Sequence, residues 1–404
     1  MARNASNITR RGMLRATAAA GISLVALDAM AGCANGPQNE VASDPVVVDS
    51  DSATSVLEGF VEVDNRLEPT NTWTLPLGSV LFPAEGRLRP VLGFGDISGQ
   101  MCKASVLSLD TGTLTDLLTE PLTTEPNWVI YDVRCSDSVL SWTELNMLTR
   151  NWRLYAQRLR DAALEGTAAL LWEGDADFEP PAVACAGERV IWQVMPSLLG
   201  TKTTEHSFCY LWKLGDEKAV ATVESPGRFA IAPTVSSGTV TLAPRVRADE
   251  GVYYGITAYD LADDMKTVVD QLVMPKSVRP FHASRIGDDF VFSVEANYGS
   301  GGLLGNMGTY VGTGDGPFTS VPLEPLAGAC GTTKGTLVVK VRASYFVIDI
   351  NEMRFSVLLA QDRSLDYGEY PASEGEVSTL VTYTTVKDRE TGYPSAVTVR
   401  TFDL

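Results

Sequence analysis

VIYDVRCSDSVLSW (129–142), PAVACAGERVIW (181–192), FAIAPTVSSGTVTL (229–242) and PFHASRIGDDFVF (280–292) are four versions of one unit. Each holds a short strand of small residues, a polar turn and a strongly apolar strand. They close on Trp142, Trp192, Leu242 and Phe292, at intervals of 50 residues each time. Working outward, LFPAEGRLRPVLGF (81–94) lies upstream, and LAGACGTTKGTLVV (326–339) and YPASEGEVSTLVTY (370–383) lie downstream. Seven units therefore recur at intervals of 44 to 50 residues.

A second unit follows each of the first six: a strand with an apolar or aromatic centre, a turn often built on Asp, and another strand, as in KASVLSLDTGTLTDLL (103–118). β-Branched and aromatic runs alternating with Gly, Asp, Ser and Pro turns predict an all-β chain. Four strands in a period of this length resemble the blade of a β-propeller. The resemblance is to propellers in general and covers residues 71–404, expected to be one domain of seven four-stranded blades, with six or eight also open. Trp-Asp dipeptides, the kelch double Gly and the Trp-docking motif are missing, so no subfamily is implied. The last repeat, SAVTVRTFDL (395–404), stops after its third strand. NTWTLPL (71–77) has the fourth-strand pattern and is expected to complete that blade, because pairing strands from the two chain ends removes open edges.

The N-terminal region has a different character. Arg3, Arg10, Arg11 and Arg15 precede the first acid, Asp28, and an apolar run of about 12 residues (16–27) follows, too short to span a bilayer. Thr9-Arg10-Arg11-Gly12-Met13-Leu14-Arg15 resembles a twin-arginine export motif, with Met13 where Phe is usual. Met30-Ala31-Gly32-Cys33 resembles a bacterial lipobox. The resemblance implies cleavage before Cys33, a lipid on its thiol, and attachment to the extracytoplasmic face of the cell membrane. Residues 1–32 are thus expected to be the signal peptide, and 33–70, rich in Ser, Asp, Asn and Pro, a disordered tether.

Of 404 residues, 45% are hydrophobic, and the net charge is −18. Losing residues 1–32 removes four Arg and one Asp and leaves a body near −21. Such a body repels phosphate backbones and anionic lipid, which argues against nucleic-acid partners and leaves membrane attachment to the lipid. Besides Cys33 there are five cysteines, Cys102, Cys135, Cys185, Cys209 and Cys330, with no CxxC spacing, so a zinc or thiol-redox site is unsupported. Cys135, Cys185 and Cys330 occupy equivalent small-residue slots and are read as core residues near the axis. Their redox state is left open, as is the oligomeric state.

No catalytic constellation is legible. His282 lies in an innermost strand, where it could face a central channel, and His206 lies in a loop; neither has a nucleophile or ligand set at useful spacing. Ser108-Leu109-Asp110-Thr111-Gly112-Thr113-Leu114-Thr115 resembles the Asp box of sialidase-type propellers, but it occurs once and is also simply a good turn. Asp175, Asp177 and Glu179 alternate, yet fall short of a Ca²⁺ ligand set. Trp142, Trp192, Phe292 and Tyr383 are read as packing between blades. The loop Gly299-Ser300-Gly301-Gly302-Leu303-Leu304-Gly305-Asn306 interrupts the fifth repeat, and Gly301 and Gly302 with His282 are the candidates for binding. No metal or cofactor is expected. The reading is a lipid-anchored binding or assembly module for a protein, glycan or small ligand, leaning away from an enzyme. The alternative is an extracytoplasmic, glycan-directed hydrolase with its site at the channel mouth.

Overall fold

The computed structural model describes residues 53–95, 101–295, 307–314, 316–361 and 368–404. Arg10, Arg11, Cys33, Gly301 and Gly302 lie outside them, as do all of residues 296–306; for Cys102 only the backbone is described. Among the described residues the strands pair into seven sheets. Six are each built on one continuous stretch of chain: 80–118, 128–174, 182–225, 234–273, 280–321 and 330–359. The seventh joins Tyr370–Pro371, Thr379–Lys387 and Pro394–Asp403 to Asn71–Pro76, which pairs antiparallel with Pro394–Asp403 from Asn71 opposite Thr401 to Pro76 opposite Ala396. The fold is an all-β propeller with four-stranded blades.

The second strand of each blade explains why the sheets stack. Val139–Asn146 is buried at every position, and so is Thr239–Leu242. Both faces of these strands meet neighbouring sheets, so burial is continuous rather than alternating, and the one buried acid, Glu144, accepts from the Leu122 and Thr123 amides and the Trp142 indole. Three blades repeat one cross-strand device at this level. Trp142 stacks on Tyr155, Trp192 on Tyr210 and Phe292 on Tyr310, with ring centroids 5.5, 5.6 and 5.4 Å apart. Each is a directly opposed pair between second and third strands. These aromatics are packing, as their spacing suggested; Tyr383 meets Tyr370 in the seventh sheet.

The expectation of a disordered tether over 33–70 is corrected for its second half. Ala53–Ser55 adds a parallel strand to the outer edge of the fifth blade, and Val61–Glu62 does the same on the sixth. Between them a single helical turn, Val56–Gly59, drives Val56 and Phe60 into the seam between those blades, against Val291, Val311, Val339 and Phe355. Two apolar side chains at i and i+4 suffice to hold an otherwise polar segment down. The chain therefore arrives along the outside of the fifth and sixth blades before entering the seventh.

A polar cluster is buried between the sixth and seventh sheets. Glu369 is fully buried and takes Arg400 on both carboxylate oxygens, with Thr382 and the Gln361 amide as further donors. Lys340, 1% exposed in the strand Thr336–Val341, lies over the Tyr345 ring at 4.9 Å. Burial pushes its ammonium down to about 8, with Glu369 pulling the other way.

Candidate functional site

The first strands and the turns that follow them meet around the axis. The period of 50 becomes direct contact there. Asp137 accepts from the amides of Arg87 (2.9 Å) and Leu88 (3.2 Å) in the preceding blade. Ser136 donates to the Gly187 carbonyl (2.5 Å), Thr234 to the Ala283 carbonyl (2.7 Å), and Ser236 to the Arg285 carbonyl. Small hydroxyl residues at the first strands and their turns thus tie the second blade to the third and the fourth to the fifth, which is a physical reason for their recurrence.

Within this ring lies a chamber of about 560 Å³, lined by residues from the first-strand regions of the first to fifth blades and the seventh sheet. Its walls are small: Ala84, Cys135, Ala184, Cys185, Ala232 and Ser236. Cys135 and Cys185 are therefore near-axis residues, as their slots suggested. Burial pushes the Cys135 thiol to about 12, with nearby Arg89 opposing, and raises Cys185 as well. Cys330 is raised to about 12 by the same cause, and Cys135, Cys185, Cys209 and Cys330 are all free thiols. None is poised as a thiolate nucleophile.

Several charged groups of the chamber are held in place. Arg89, 3% exposed, bonds the carbonyls of Ala372 (3.0 Å), Gly86 (2.9 Å) and Leu88 (3.0 Å). Burial lowers its pKa, with the charge of Asp137 among those opposing. Arg134 pairs with Asp132 at 3.1 Å and lies over the Phe82 ring at 4.0 Å. Burial raises the Asp132 pKa, against the pull of Arg134. Glu376 accepts from the Ser237 hydroxyl (2.5 Å), while its own amide donates to Ser236 (2.7 Å).

His282 lines the chamber, and its Nε2 lies 3.2 Å from Glu374, which stands just before Gly375–Glu376, a short strand that pairs parallel with Cys330–Gly331 at the edge of the sixth sheet. The imidazole packs closely over Gly328, which precedes the first strand of the sixth blade. A Cβ on Gly328 would sit 2.3 Å from the imidazole Nε2. The carboxylate orients the imidazole for hydrogen bonding or proton transfer. Among the described residues no hydroxyl or thiol bonds the ring. Sequence reasoning found His282 and missed Glu374, 92 residues away; the small-residue run 326–331 was the available signal.

The other candidates separate from the chamber. His206 is exposed and contacts Glu224. Asp177 takes the amide (3.1 Å) and hydroxyl (3.0 Å) of Thr201, and Glu179 takes the Leu198 amide (3.1 Å). These acids brace the 195–201 loop, and among the described residues no group of three acids, His or Cys is placed to hold a metal. The Asp-box-like segment forms the turn between third and fourth strands, with Gly112 at φ +71° pressed against Trp73.

No protein-family model and no curated protein matches the chain. Among solved structures, the β-propeller domain of the trilobed protease from Pyrococcus furiosus, described as having an open velcro topology, superposes with a TM-score of 0.52 at 9% identity, covering 80% of this chain and 95% of that one. Pyrococcus horikoshii acylaminoacyl peptidase gives 0.49 at 9% identity over 79% of this chain and 50% of its own. Oligogalacturonate lyase from Vibrio parahaemolyticus gives 0.45 at 10% identity over 84% and 95%. At such identity the first of these likenesses speaks to fold, and with the sheet pairing it establishes the chain as a β-propeller.

Proposed function

We propose that this protein is an extracytoplasmic binding module that receives a small ligand in its axial chamber. In this reading the seven sheets are seven blades of one ring, closed by Asn71–Pro76. Export runs through Arg10 and Arg11, and a lipid on Cys33 holds the domain at the cell membrane. One observation carries the binding role. The chamber is open because its walls are small, while Arg89, Arg134 and Glu376 among its ionic groups are fixed by bonds to backbone or to other side chains. A volume near 560 Å³ falls within the range of ligand pockets, and fixed polar groups reduce the ordering cost of binding.

The His282–Glu374 pair favours a second reading, a hydrolase in which the imidazole works as acid or base on an activated water. The two readings part in a direct test. The full-length protein is purified from its native envelope and its bound small molecules are identified by native mass spectrometry, beside an Ala184→Trp variant that fills the chamber. The binding reading expects a ligand retained by the wild type and lost from the variant. An equal load in both proteins refutes the chamber as its site. Conversion of the ligand on incubation, abolished in His282→Ala, establishes the enzyme instead.

A further inference from the structure

Two aromatic residues stand at one position of the repeat, three periods apart: Tyr131 and Phe281. Both lie in innermost strands, and both fall at a register irregularity. The ladder with the second strand skips from Ile130 to Asp132 in one blade and from Pro280 to His282 in the other. A bulged residue is released from the ladder, and its side chain is re-aimed. Tyr131 is 47% exposed and Phe281 38%, although Ile130, Val133, Ala283 and Ser284 beside them are fully buried. The blade faces are covered by neighbouring blades, so this exposed aromatic surface belongs to the axial side. Each ring precedes a chamber residue on its own strand, Tyr131 three positions before Arg134 and Phe281 one before His282. They therefore stand toward the starts of the innermost strands, ahead of the chamber residues and outside the chamber lining itself.

Accepting the chamber as the binding site, we propose that these two rings are the jaws of a saccharide site, and that the ligand is a neutral saccharide chain whose end enters the chamber. Three features select that chemistry. Flat aromatic surfaces exposed in a wet channel suit the apolar C–H faces of sugar rings, burying area without needing a polar partner. Below them, Arg134 beside Asp132 and His282 beside Glu374 offer donors and acceptors side by side, as hydroxyl groups require. The body near −21 opposes anionic glycans at long range.

The test presents the full-length protein, in detergent, to immobilised neutral and anionic oligosaccharides, with Tyr131→Ala, Phe281→Ala and Tyr131→Phe in parallel and thermal unfolding as the check on folding. At least one neutral oligosaccharide is expected to bind. Its affinity is expected to fall about tenfold or more in each Ala variant and to stay within about twofold in Tyr131→Phe, because the ring face rather than the hydroxyl makes the contact. Wild-type affinity in folded Ala variants overturns the jaws. Binding confined to anionic members, or to no member of the panel, overturns the saccharide. If the native ligand is lost in Ala184→Trp yet kept in both Ala variants, the chamber reading stands and this inference falls.

Discussion

Replacing Lys340 by Met should stabilise the protein near neutral pH. Lys340 is 1% exposed, and its ammonium is held at about 8 against an ordinary 10.5. Burial is the main cause, only partly offset by Glu369, which already serves Arg400. The depression corresponds to roughly 3 kcal/mol at about 1.4 kcal/mol per unit. The sign follows from proton counting. Between about pH 8 and 10.5 the folded lysine is mostly neutral while the unfolded one is still charged, so the unfolded chain binds more protons and stability rises with pH. Below pH 8 both states are charged, and the whole burial cost is present. Lys340→Met keeps the length of the side chain and removes the charge, leaving Glu369 paired with Arg400. Urea unfolding of both proteins at pH 6 to 10.5 should show the variant ahead by up to ~3 kcal/mol below pH 8. The gap should narrow steadily toward pH 10.5. A variant less stable than wild type at pH 7, or a gap that does not change with pH, would refute the reasoning and show that Lys340 is a net stabilising partner of Glu369.

Gly328→Ala should displace His282 and cost about 1–3 kcal/mol; adding His282→Ala should recover part of the loss, and strictly additive unfolding energies would count against the close approach. Phe60→Ala should lower stability by about 3 kcal/mol through the lost plug between the fifth and sixth blades, with an unchanged urea midpoint as the contrary result. Asp137→Ala leaves the Arg87 and Leu88 amides without their acceptor in an exposed turn, for an expected loss of about 1 kcal/mol measured the same way. Cys33→Ala should move the protein from the membrane fraction to the soluble one; persistent detergent-dependent association would refute the lipid anchor.

The spacing of 50 was legible because it is a contact rule. Residues one period apart, such as Asp137 and Arg87 or Ser237 and Gly287, touch at the turns around the axis, so turn chemistry and small hydroxyls recur in register. The fourth-strand character of NTWTLPL was legible for a similar reason, since alternation and β-propensity are local. Features that join distant blades were not. His282 meets Glu374 because Gly375–Glu376 crosses to pair with the sixth blade and Gly328 leaves room for the ring, facts of tertiary pairing rather than of pattern. The strap over 53–62 was hidden by its composition, with Val56 and Phe60 as its two buried side chains. Lys340 inside the apolar run Thr336–Val341 was a visible anomaly whose opposing charge, Glu369, came from a distant segment of chain. Tyr131 and Phe281 differ from packing aromatics through bulges that a sequence does not announce.

The strap also sets how the domain meets force. Tension reaching Ala53 from the N-terminal side falls first on the short parallel ladder with the fifth blade and on the Val56–Phe60 plug, then on the Val61–Glu62 ladder with the sixth. Asn71–Pro76, paired along its length in the seventh sheet, lies last in that series. Short elements loaded ahead of a long one yield before it. The segment over 53–62 therefore works as a mechanical fuse, able to peel from the rim and pay out slack while the sheet that joins the two chain ends stays shut.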